Sequence, residues 1–207
     1  MKSDARFWDR IANYYSKKPV EDEAAYKKKL EVTRSYLKPE MDVLEFGCGS
    51  GTTALLLAPH VRHIHAIDFS SRMIDICRQK AADQGISNVT FEQVAIEELS
   101  EKDHKLDVML GHSVLHLLDD KEAVLAKVYS LLKPGGLFIS STTCVDDVPV
   151  LVKFTVSVGS KLGLLPSVQM FTKEELIEAI TGAGFRIDHI FQPDPKKAVF
   201  IVGKKSA

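Results

Sequence analysis

Three glycines on alternate positions, Gly47, Gly49 and Gly51, follow a short apolar run that carries an acid at Glu45. Glycine has no Cβ, so the chain can turn sharply here and a ligand can approach the backbone closely. Residues 52–58 have a helical pattern, so the glycines connect the carboxyl end of a strand to the start of a helix. Open α/β sheets bind nucleoside cofactors at such a turn. The motif therefore predicts a nucleoside-cofactor site, with a ligand-free structural turn as the alternative.

An acid at Asp68 stands at the end of the second predicted strand, residues 63–67. A carboxylate in this position can accept two hydrogen bonds from the hydroxyls of a ribose. The alternative is a structural acid that favours the dipole of the following helix. Ser70 and Ser71 already provide an N-cap for that helix, so the ribose role is the stronger interpretation. Phe69 is a candidate either to cover an adenine ring or to pack in the core.

Strands and helices alternate through most of the chain, after two amino-terminal helices. The helices are predicted at 5–17, 21–37, 52–58, 71–84, 121–132 and 173–183. The strands are predicted at 43–46, 63–67, 89–94, 106–110 and 137–142, followed by a hairpin of 185–191 and 198–202. This alternation predicts an α/β fold, in which a parallel sheet has helices on both faces and right-handed crossovers.

The chain has no internal repeat, low-complexity segment or linker that would divide it, so we expect a single domain over residues 1–207. Residues 1–39 are expected to form a helical cap at its amino-terminal end. The apolar segment 144–170 is equally consistent with a substrate-side cap and with one more core helix.

The charges are balanced, because 27 lysines and arginines face 28 acids and the net charge is −1. No overall field favours nucleic acid or an anionic membrane, so we expect neither as a partner. The run of Lys27, Lys28 and Lys29 is best interpreted as the solvated face of a helix. The amino terminus lacks the apolar core of a signal peptide, and no apolar run reaches the roughly 20 residues that span a bilayer.

The three cysteines, Cys48, Cys77 and Cys144, are widely separated along the chain. They form neither a disulfide framework nor a group at metal-ligand spacing with histidines. We therefore expect free thiols in a reducing, cytoplasmic setting, and no metal site.

Four segments in this order and spacing resemble the class I S-adenosylmethionine-dependent methyltransferases: Val43–Gly51, Asp68, Leu106–Val108 and Leu132–Gly136. The resemblance implies a Rossmann-like three-layer sandwich around a seven-stranded, mostly parallel sheet. The implied strand order is 3-2-1-4-5-7-6, with the last strand antiparallel. The resemblance also implies S-adenosyl-L-methionine as the cofactor and S-adenosyl-L-homocysteine as the product.

The resemblance assigns cofactor roles to individual positions of this sequence. These positions are Tyr14, Glu45, Gly47, Gly49, Gly51, Asp68, Phe69, Ala95, Ile96, Gly111 and His112. Glu45 and the three glycines of the turn (Gly47, Gly49 and Gly51) would surround the methionine and ribose portions of the cofactor. Asp68 would bind the ribose hydroxyls. Gly111 and His112 would lie near the amino-acid end of the cofactor, with Phe69 beside its adenine. The tyrosine and its neighbour Tyr15 would fold over the cofactor or pack within the helical cap.

The adenine side departs from the family pattern. Many members carry an acid after the third strand that reaches the adenine amino group, whereas the matching position here is Ala95. Ala95 and Ile96 offer only apolar contact and backbone groups. Glu97 is the nearby acid that can substitute.

Two histidines are the candidates for acid–base chemistry. In-line methyl displacement depends mainly on alignment, which is worth roughly 7–11 kcal/mol in favourable cases. A general base is needed only if the acceptor is protonated at its attacking atom. His112 and His116 follow the fourth strand, where an acceptor would sit, and at i and i+4 they can share a helical face. They are candidates for that base or for ordinary packing.

The acceptor class follows by exclusion. The segment after the fourth strand lacks the Asn/Asp-Pro-Pro-aromatic motif of enzymes that methylate nucleic-acid amino groups. Cys144 does not follow a proline, as the nucleophile for cytosine-carbon methylation normally does. We therefore expect a small-molecule acceptor, and the apolar residues of 144–170 weakly favour an apolar one. A non-catalytic cofactor-binding scaffold and, with less support, an NAD(P)-dependent oxidoreductase are the alternatives.

Overall fold

Helices and strands alternate in the computed structural model, which describes residues 2–100, 105–144 and 165–207. The strands are β1 (Asp42–Phe46), β2 (His63–Asp68), β3 (Val89–Gln93), β4 (Leu106–His112), β5 (Leu132–Thr142), β6 (Arg186–Phe191) and β7 (Val199–Lys204). The α-helices are α1 (Lys2–Tyr15), α2 (Glu23–Tyr36), α3 (Thr52–Leu57), α4 (Ser71–Gln84), α5 (Lys121–Leu131) and α6 (Lys173–Gly182). Short 3-10 helices lie at Ala58–His60, Ile96–Glu98 and Leu115–Leu117.

The seven strands form one sheet in the order β3-β2-β1-β4-β5-β7-β6. Strands β1 to β5 are parallel, and β7 is antiparallel to both β5 and β6. This confirms the predicted order and the antiparallel last strand. The connections from β1 and from β3 run in opposite directions across the sheet, so a crevice lies between the carboxyl ends of β1 and β4.

Two apolar layers cover the two faces of the sheet, which confirms the three-layer arrangement. One layer lies under α5 and α6 and includes Phe46 and Phe138, whose rings stack at 6.2 Å. The other lies under α2, α3 and α4 and includes Ile139 and Phe200. Each such buried side chain contributes roughly 1.5–3 kcal/mol. Within the described ranges, no helix combines the length and apolarity needed to cross a membrane.

Capping residues fix the ends of the helices that flank the sheet. The Ser70 hydroxyl accepts a hydrogen bond from the Met73 N–H at the start of α4, and Gly85 ends that helix in the left-handed region. Thr172 and Glu175 form a capping box at the start of α6, each side chain accepting from the other's backbone N–H. Such N-caps typically contribute ~1 kcal/mol. These helix ends therefore follow from local sequence.

Strand β5 begins at Leu132, earlier than the predicted start at 137, because Leu132 already pairs with Leu106 of β4. A Cβ at Gly136 would lie 2.9 Å from the carbonyl oxygen of Lys133, so the turn requires glycine there. Most of the predicted 144–170 cap falls outside the described residues. Its described part is 144 and 165–170.

Helix α2 corrects the prediction that three consecutive lysines form a solvated face. Lys27 and Lys28 are exposed and pair with glutamates of the same helix, as that prediction requires. Lys29 instead points towards the sheet and is partly buried, and its Nζ donates a 2.9 Å hydrogen bond to the Ser141 hydroxyl at the end of β5. The helix therefore carries one lysine into the interior.

Candidate functional site

A cleft opens at the carboxyl ends of β1, β2 and β4, where the topology places the crevice. Its wall also includes the segment after β3, part of α1, and residues 166 and 167. The predicted cofactor residues that line it are Gly47, Gly49, Asp68, Phe69, Ala95, Ile96 and His112. The fold therefore brings together residues that are far apart in the chain.

The glycine turn after β1 is held in the left-handed region, with φ of 61° at Gly47, 53° at Gly49 and 72° at Gly51. Non-glycine residues pay roughly 1–2 kcal/mol for that conformation. A Cβ at Gly47 would lie 2.6 Å from the Val114 side chain, and one at Gly51 would lie 2.7 Å from Cys77 Sγ. At Gly49 the nearest atom would be in the Tyr15 ring at 3.6 Å. Gly51 thus serves packing against α4, whereas Gly49 leaves space for a ligand.

The carboxylate of Asp68 is fixed by two backbone donors. Its Oδ2 accepts from the Gly49 N–H at 2.8 Å, and its Oδ1 accepts from the Ser70 N–H at 2.9 Å. Burial raises the pKa of Asp68 to about 6, although these hydrogen bonds act in the opposite direction. Asp68 is therefore mainly ionised at neutral pH. Each carboxylate oxygen can accept a further hydrogen bond, which fits a diol ligand.

Helix α1 covers the cleft and is attached to the start of α4. The Ser70 hydroxyl donates a 2.6 Å hydrogen bond to the carboxylate of Asp9. This attachment places Trp8 and Tyr15 on the cleft, with their rings edge to face at 5.6 Å. Tyr14 is 73% exposed and is not among the residues that line the cleft. Tyr15, the other tyrosine named for a role over the cofactor or within the cap, lines the cleft.

The end of β4 brings His112 to the cleft wall, next to a strained residue. Ser113 has φ of 54°, the one non-glycine in the left-handed region among the described residues. Its N–H donates a 2.7 Å hydrogen bond to the Ser141 carbonyl. The His112 ring stacks on Phe200 with centroids 6.5 Å apart. Burial first, and the charge of Lys29 second, lower the pKa of His112 to about 4, so its imidazole is neutral at neutral pH.

A known protein family matches most of this chain. The family described as "Methyltransferase domain" matches residues 37–184, well over half of the chain. The chain belongs to the class I S-adenosylmethionine-dependent methyltransferase family. The match contains the glycine turn, Asp68 and the end of β4, which are the parts of the cleft described above.

Two curated methyltransferases illustrate the range of relatives. The tRNA 5-carboxymethoxyuridine methyltransferase of Escherichia coli (strain K12) is 34% identical over 100 residues, which are 47% of this chain and 38% of that protein. The malonyl-[acyl-carrier protein] O-methyltransferase of Priestia megaterium is 27% identical over 177 residues, 83% of this chain and 63% of that protein. The chain therefore spans less than two thirds of the length of either relative.

A solved methyltransferase shares the complete fold. The N-methyltransferase NodS from Bradyrhizobium japonicum, crystallised with S-adenosyl-L-homocysteine, superposes with a TM-score of 0.72 and 16% identity. The alignment covers 100% of this chain and 98% of that one. At this identity the likeness concerns the fold.

Glu45 of this methyltransferase chain lies behind the glycine turn rather than on the cleft wall. It is 2% exposed, and its carboxyl group accepts a hydrogen bond from the Ala54 N–H. Its Oε2 has no hydrogen-bond partner among the described residues. Burial raises the pKa of Glu45 to about 8, so it is mainly protonated at neutral pH. Glu45 is therefore a buried polar group with one unsatisfied oxygen beside the turn.

The wall after β3 is apolar at the positions where many family members have an acid. Ala95 and Ile96 both line the cleft and are 8% and 5% exposed. Glu97 lines the same cleft from the 3-10 helix at Ile96–Glu98 and is exposed. An acid is thus present near the expected adenine position, two residues later in the chain.

Two predicted site residues, Gly111 and His116, lie outside the described cleft wall. His116 lies in the 3-10 helix Leu115–Leu117 and outside the described cleft wall, so it shares no α-helical face with His112. Its Nδ1 is buried without a partner among the described residues, and burial lowers its pKa. A Cβ at Gly111 would lie 2.6 Å from the Phe46 ring, so this glycine accommodates core packing. Sequence reasoning missed Ser113, because no local signal marks its left-handed backbone.

Proposed function

We propose that the protein catalyses S-adenosylmethionine-dependent methyl transfer to a small acceptor bound in the cleft. The observation that carries the proposal is the Asp68 carboxylate, held at the cleft wall by the N–H groups of Gly49 and Ser70. Family membership supports the same reaction. When bound, S-adenosylmethionine supplies a methyl group on a sulfonium centre, which an aligned nucleophile can displace.

The residues of the cleft fit that cofactor. Asp68 accepts hydrogen bonds from the ribose hydroxyls, and Gly49 lets the ligand approach the backbone. Phe69, Ala95 and Ile96 provide an apolar surface for the adenine, with Glu97 as an acceptor for its amino group. The remaining predicted glycines and Glu45 shape the wall from behind.

The protein contributes to catalysis mainly by positioning. The rigid turn and the end of β4 hold the two reactants in line, an effect worth roughly 7–11 kcal/mol when alignment is complete. Tyr15 and Trp8 cover the cleft and exclude water. His112 presents a neutral imidazole that can accept a hydrogen bond from an acceptor O–H or N–H and orient it. A base with a pKa of about 4 removes protons weakly at neutral pH, so orientation is its main role.

The acceptor is expected to be small and largely apolar. The described wall beyond the cofactor positions is mostly apolar and includes Met73, Val114, Leu117 and Leu118. Apolar walls with a few placed polar groups are typical of small-molecule sites. None of the three cysteines forms a disulfide with another described residue, which supports the cytoplasmic setting that we propose for the protein.

A tRNA acceptor is the second candidate, because one relative is a tRNA methyltransferase. The charges favour the small molecule instead. The net charge is −1, and the described cleft wall carries Asp68, Glu97 and Asp119 but no lysine or arginine. Such a surface repels a polyanion unless basic groups lie elsewhere.

Calorimetric titration with S-adenosyl-L-homocysteine, with NADH as the control, tests the cofactor. We expect micromolar binding of the first ligand only. Binding of NADH alone would support the oxidoreductase alternative, and binding of neither by folded protein would refute the proposal.

A labelled methyl donor then tests the reaction on a panel of small acceptors, with bulk tRNA as a separate arm. Transfer to a small acceptor supports the proposal, and transfer only to tRNA replaces the acceptor class. Tight cofactor binding without transfer in any arm would favour the scaffold alternative.

A further inference from the structure

Cys48 and Cys77 are distant in sequence but meet behind the glycine turn. Cys48 belongs to the turn itself, between Gly47 and Gly49, whereas Cys77 lies on α4. Their side chains are hydrogen-bonded to each other, and this contact, followed by burial, raises the pKa of Cys48. Cys48 is 8% exposed and Cys77 is 0% exposed. The fold therefore creates a pair of free thiols that the proposed reaction does not use.

Both thiols also contact the carbonyl oxygen of Gly49. The Cys77 thiol donates to this oxygen at 3.1 Å, and Cys48 Sγ lies 3.8 Å from it. The N–H of the same glycine holds Oδ2 of Asp68 at 2.8 Å. Gly49 therefore connects the state of the two thiols to the position of the Asp68 carboxylate on the cleft wall.

The turn is packed closely against Cys77. A Cβ at Gly51 would lie 2.7 Å from Cys77 Sγ, so the sulfur sits directly against the glycine backbone. The Cys48 N–H donates to the Ile67 carbonyl, and the Cys48 carbonyl accepts from the Gly51 N–H, both at 3.0 Å. A disulfide bond is about 2.0 Å long, which is shorter than the contact between two hydrogen-bonded thiols. Helix α4 is buried along one face, so the short turn must move if the two sulfurs form this bond.

A lysine ammonium lies beside the pair. Lys80, on α4 one turn after Cys77, donates to the Ser50 carbonyl at 3.1 Å and to the Thr52 hydroxyl at 3.2 Å. Its charge also interacts with Cys77. Positive charge next to a thiol is typical of cysteines that react with oxidants. Burial limits access to the two sulfurs, so the oxidant that fits is a small one, such as hydrogen peroxide.

We propose that Cys48 and Cys77 form a reversible disulfide on reaction with a hydroperoxide, and that this bond distorts the cofactor cleft. First, the sulfur of one thiol attacks an oxygen of hydrogen peroxide, the O–O bond breaks, and a sulfenic acid and one water form. Next, the sulfur of the other thiol attacks the sulfenic sulfur, the S–O bond breaks, and a second water leaves with the thiol proton. The two thiols lose two electrons and the peroxide gains them. A dithiol reductant reverses the reaction by thiol–disulfide exchange.

The disulfide affects the cleft through Gly49. Oxidation removes the S–H donors from the Gly49 carbonyl and pulls the preceding residue, Cys48, towards α4. The Gly49 N–H then loses its alignment with Asp68, and the carboxylate loses one of its two backbone donors. The resulting loss of cofactor affinity rests on the proposed function, whereas the disulfide itself does not.

Peptide mapping by mass spectrometry tests the disulfide without any ligand. Folded wild type, Cys48→Ser, Cys77→Ser and Cys144→Ser are treated with hydrogen peroxide, and catalase then removes the excess. We expect a Cys48–Cys77 cross-link, with the loss of two hydrogen atoms, in wild type and in the control C144S but in neither other variant. Unlinked Cys48 and Cys77 in treated wild type, whether reduced or separately oxidised, would refute the proposal.

Hydrogen exchange and calorimetry test the effect on the cleft. In the oxidised protein the turn peptide should exchange faster, because the Gly49 N–H loses its acceptor. We expect the Kd for S-adenosyl-L-homocysteine to rise by about tenfold or more on oxidation and to recover with dithiothreitol. C144S should respond as wild type does, and peroxide should leave the Kd of C77S unchanged. Because coupling is reciprocal, saturating S-adenosyl-L-homocysteine should reduce the amount of cross-link.

Three results separate this switch from the proposed function. If reduced wild type binds S-adenosyl-L-homocysteine but peroxide gives no cross-link, the switch is refuted while cofactor binding stands. A cross-link that changes neither the Kd nor the exchange of the turn would refute its control of the cleft. If folded, reduced wild type binds no S-adenosyl-L-homocysteine, the proposed function fails, and the cross-link together with the exchange of the turn still decides the switch.

Discussion

The backbone N–H of Gly49 donates a 2.8 Å hydrogen bond to Oδ2 of Asp68, which connects the turn after β1 to the acid after β2. The glycine turn therefore orients the Asp68 carboxylate, and the carboxylate satisfies the hydrogen-bonding capacity of the Gly49 N–H. A second donor, the Ser70 N–H, holds the other oxygen. The cofactor cleft is thus a coupled unit in which the backbone geometry and the position of one acid depend on each other.

Replacing Asp68 with asparagine tests this unit. Asparagine keeps the shape but offers one acceptor oxygen and no charge, so it cannot serve both backbone donors and a ribose diol. We expect the Kd for S-adenosyl-L-homocysteine to rise by about ten- to a hundredfold, the effect of losing a charged hydrogen bond. Asp75→Asn, at an exposed position of α4, is the matched control. An unchanged Kd in folded D68N would refute the ribose role.

The pH dependence of binding provides an independent test of Asp68. Its pKa in the protein is raised from 3.8 to about 6, so lowering the pH from about 7.5 to about 5 protonates the carboxylate and should weaken binding. The effect of Asp68 on folding stability runs in the opposite direction to its effect on binding. Because the pKa of Asp68 is higher in the folded protein, its contribution to folding stability is complete below pH 3.8 and is lost as the pH rises through about 6. Titrations with S-adenosyl-L-homocysteine at several pH values should show a binding affinity that decreases as the pH is lowered. The same series with D68N should be flatter.

The strand order was predictable from the family resemblance, whereas the glycine–acid pair was predictable because its signals are local. The strand ends, the glycines and the acid follow each other along the chain, and parallel strands bring their carboxyl ends to one edge. The positions of the strand ends alone therefore bring Asp68 next to Gly49. The same locality explains why the N-cap at the start of α4 could be predicted from Ser70 and Ser71.

The directions of helical side chains were less predictable. Tyr14 and Tyr15 are adjacent, so their side chains diverge by about 100° around α1, and only docking of α1 on α4 decides which one reaches the cleft. Lys29 likewise reaches Ser141 because of how α2 crosses the sheet, which no local pattern specifies. His116 belongs to a 3-10 turn, so the expected α-helical pairing with His112 is absent.

A matched pair of glycine variants separates backbone strain from steric blocking. Gly49 and Gly85 both have positive φ, at 53° and 65°, so alanine at either position should cost roughly 1–2 kcal/mol of folding free energy. A Cβ at Gly85 meets nothing within 4 Å, whereas one at Gly49 faces the cleft beside Tyr15. We expect G49A and G85A to lower the melting temperature similarly, by about 2–4 °C per kcal/mol.

Only G49A should weaken S-adenosyl-L-homocysteine binding, by about tenfold or more, because its methyl group occupies ligand space. Calorimetry on both variants measures this difference. Equal losses of affinity in G49A and G85A would mean that destabilisation, rather than the added methyl group, controls binding.

Glu45 should make folding stability depend on pH. Burial raises its pKa from 4.5 to about 8, so its contribution to stability is complete below 4.5 and is lost as the pH rises through about 8. Glu45→Gln mimics the protonated acid and can still accept from the Ala54 N–H. We therefore expect E45Q to melt close to wild type at about pH 5 and clearly above it at about pH 8.5. Thermal melts across this pH range measure the difference in melting temperature between E45Q and wild type, with Glu98→Gln at an exposed position as the control. If the melting temperatures of wild type and E45Q instead changed in parallel with pH, Glu45 would already be ionised in the folded protein.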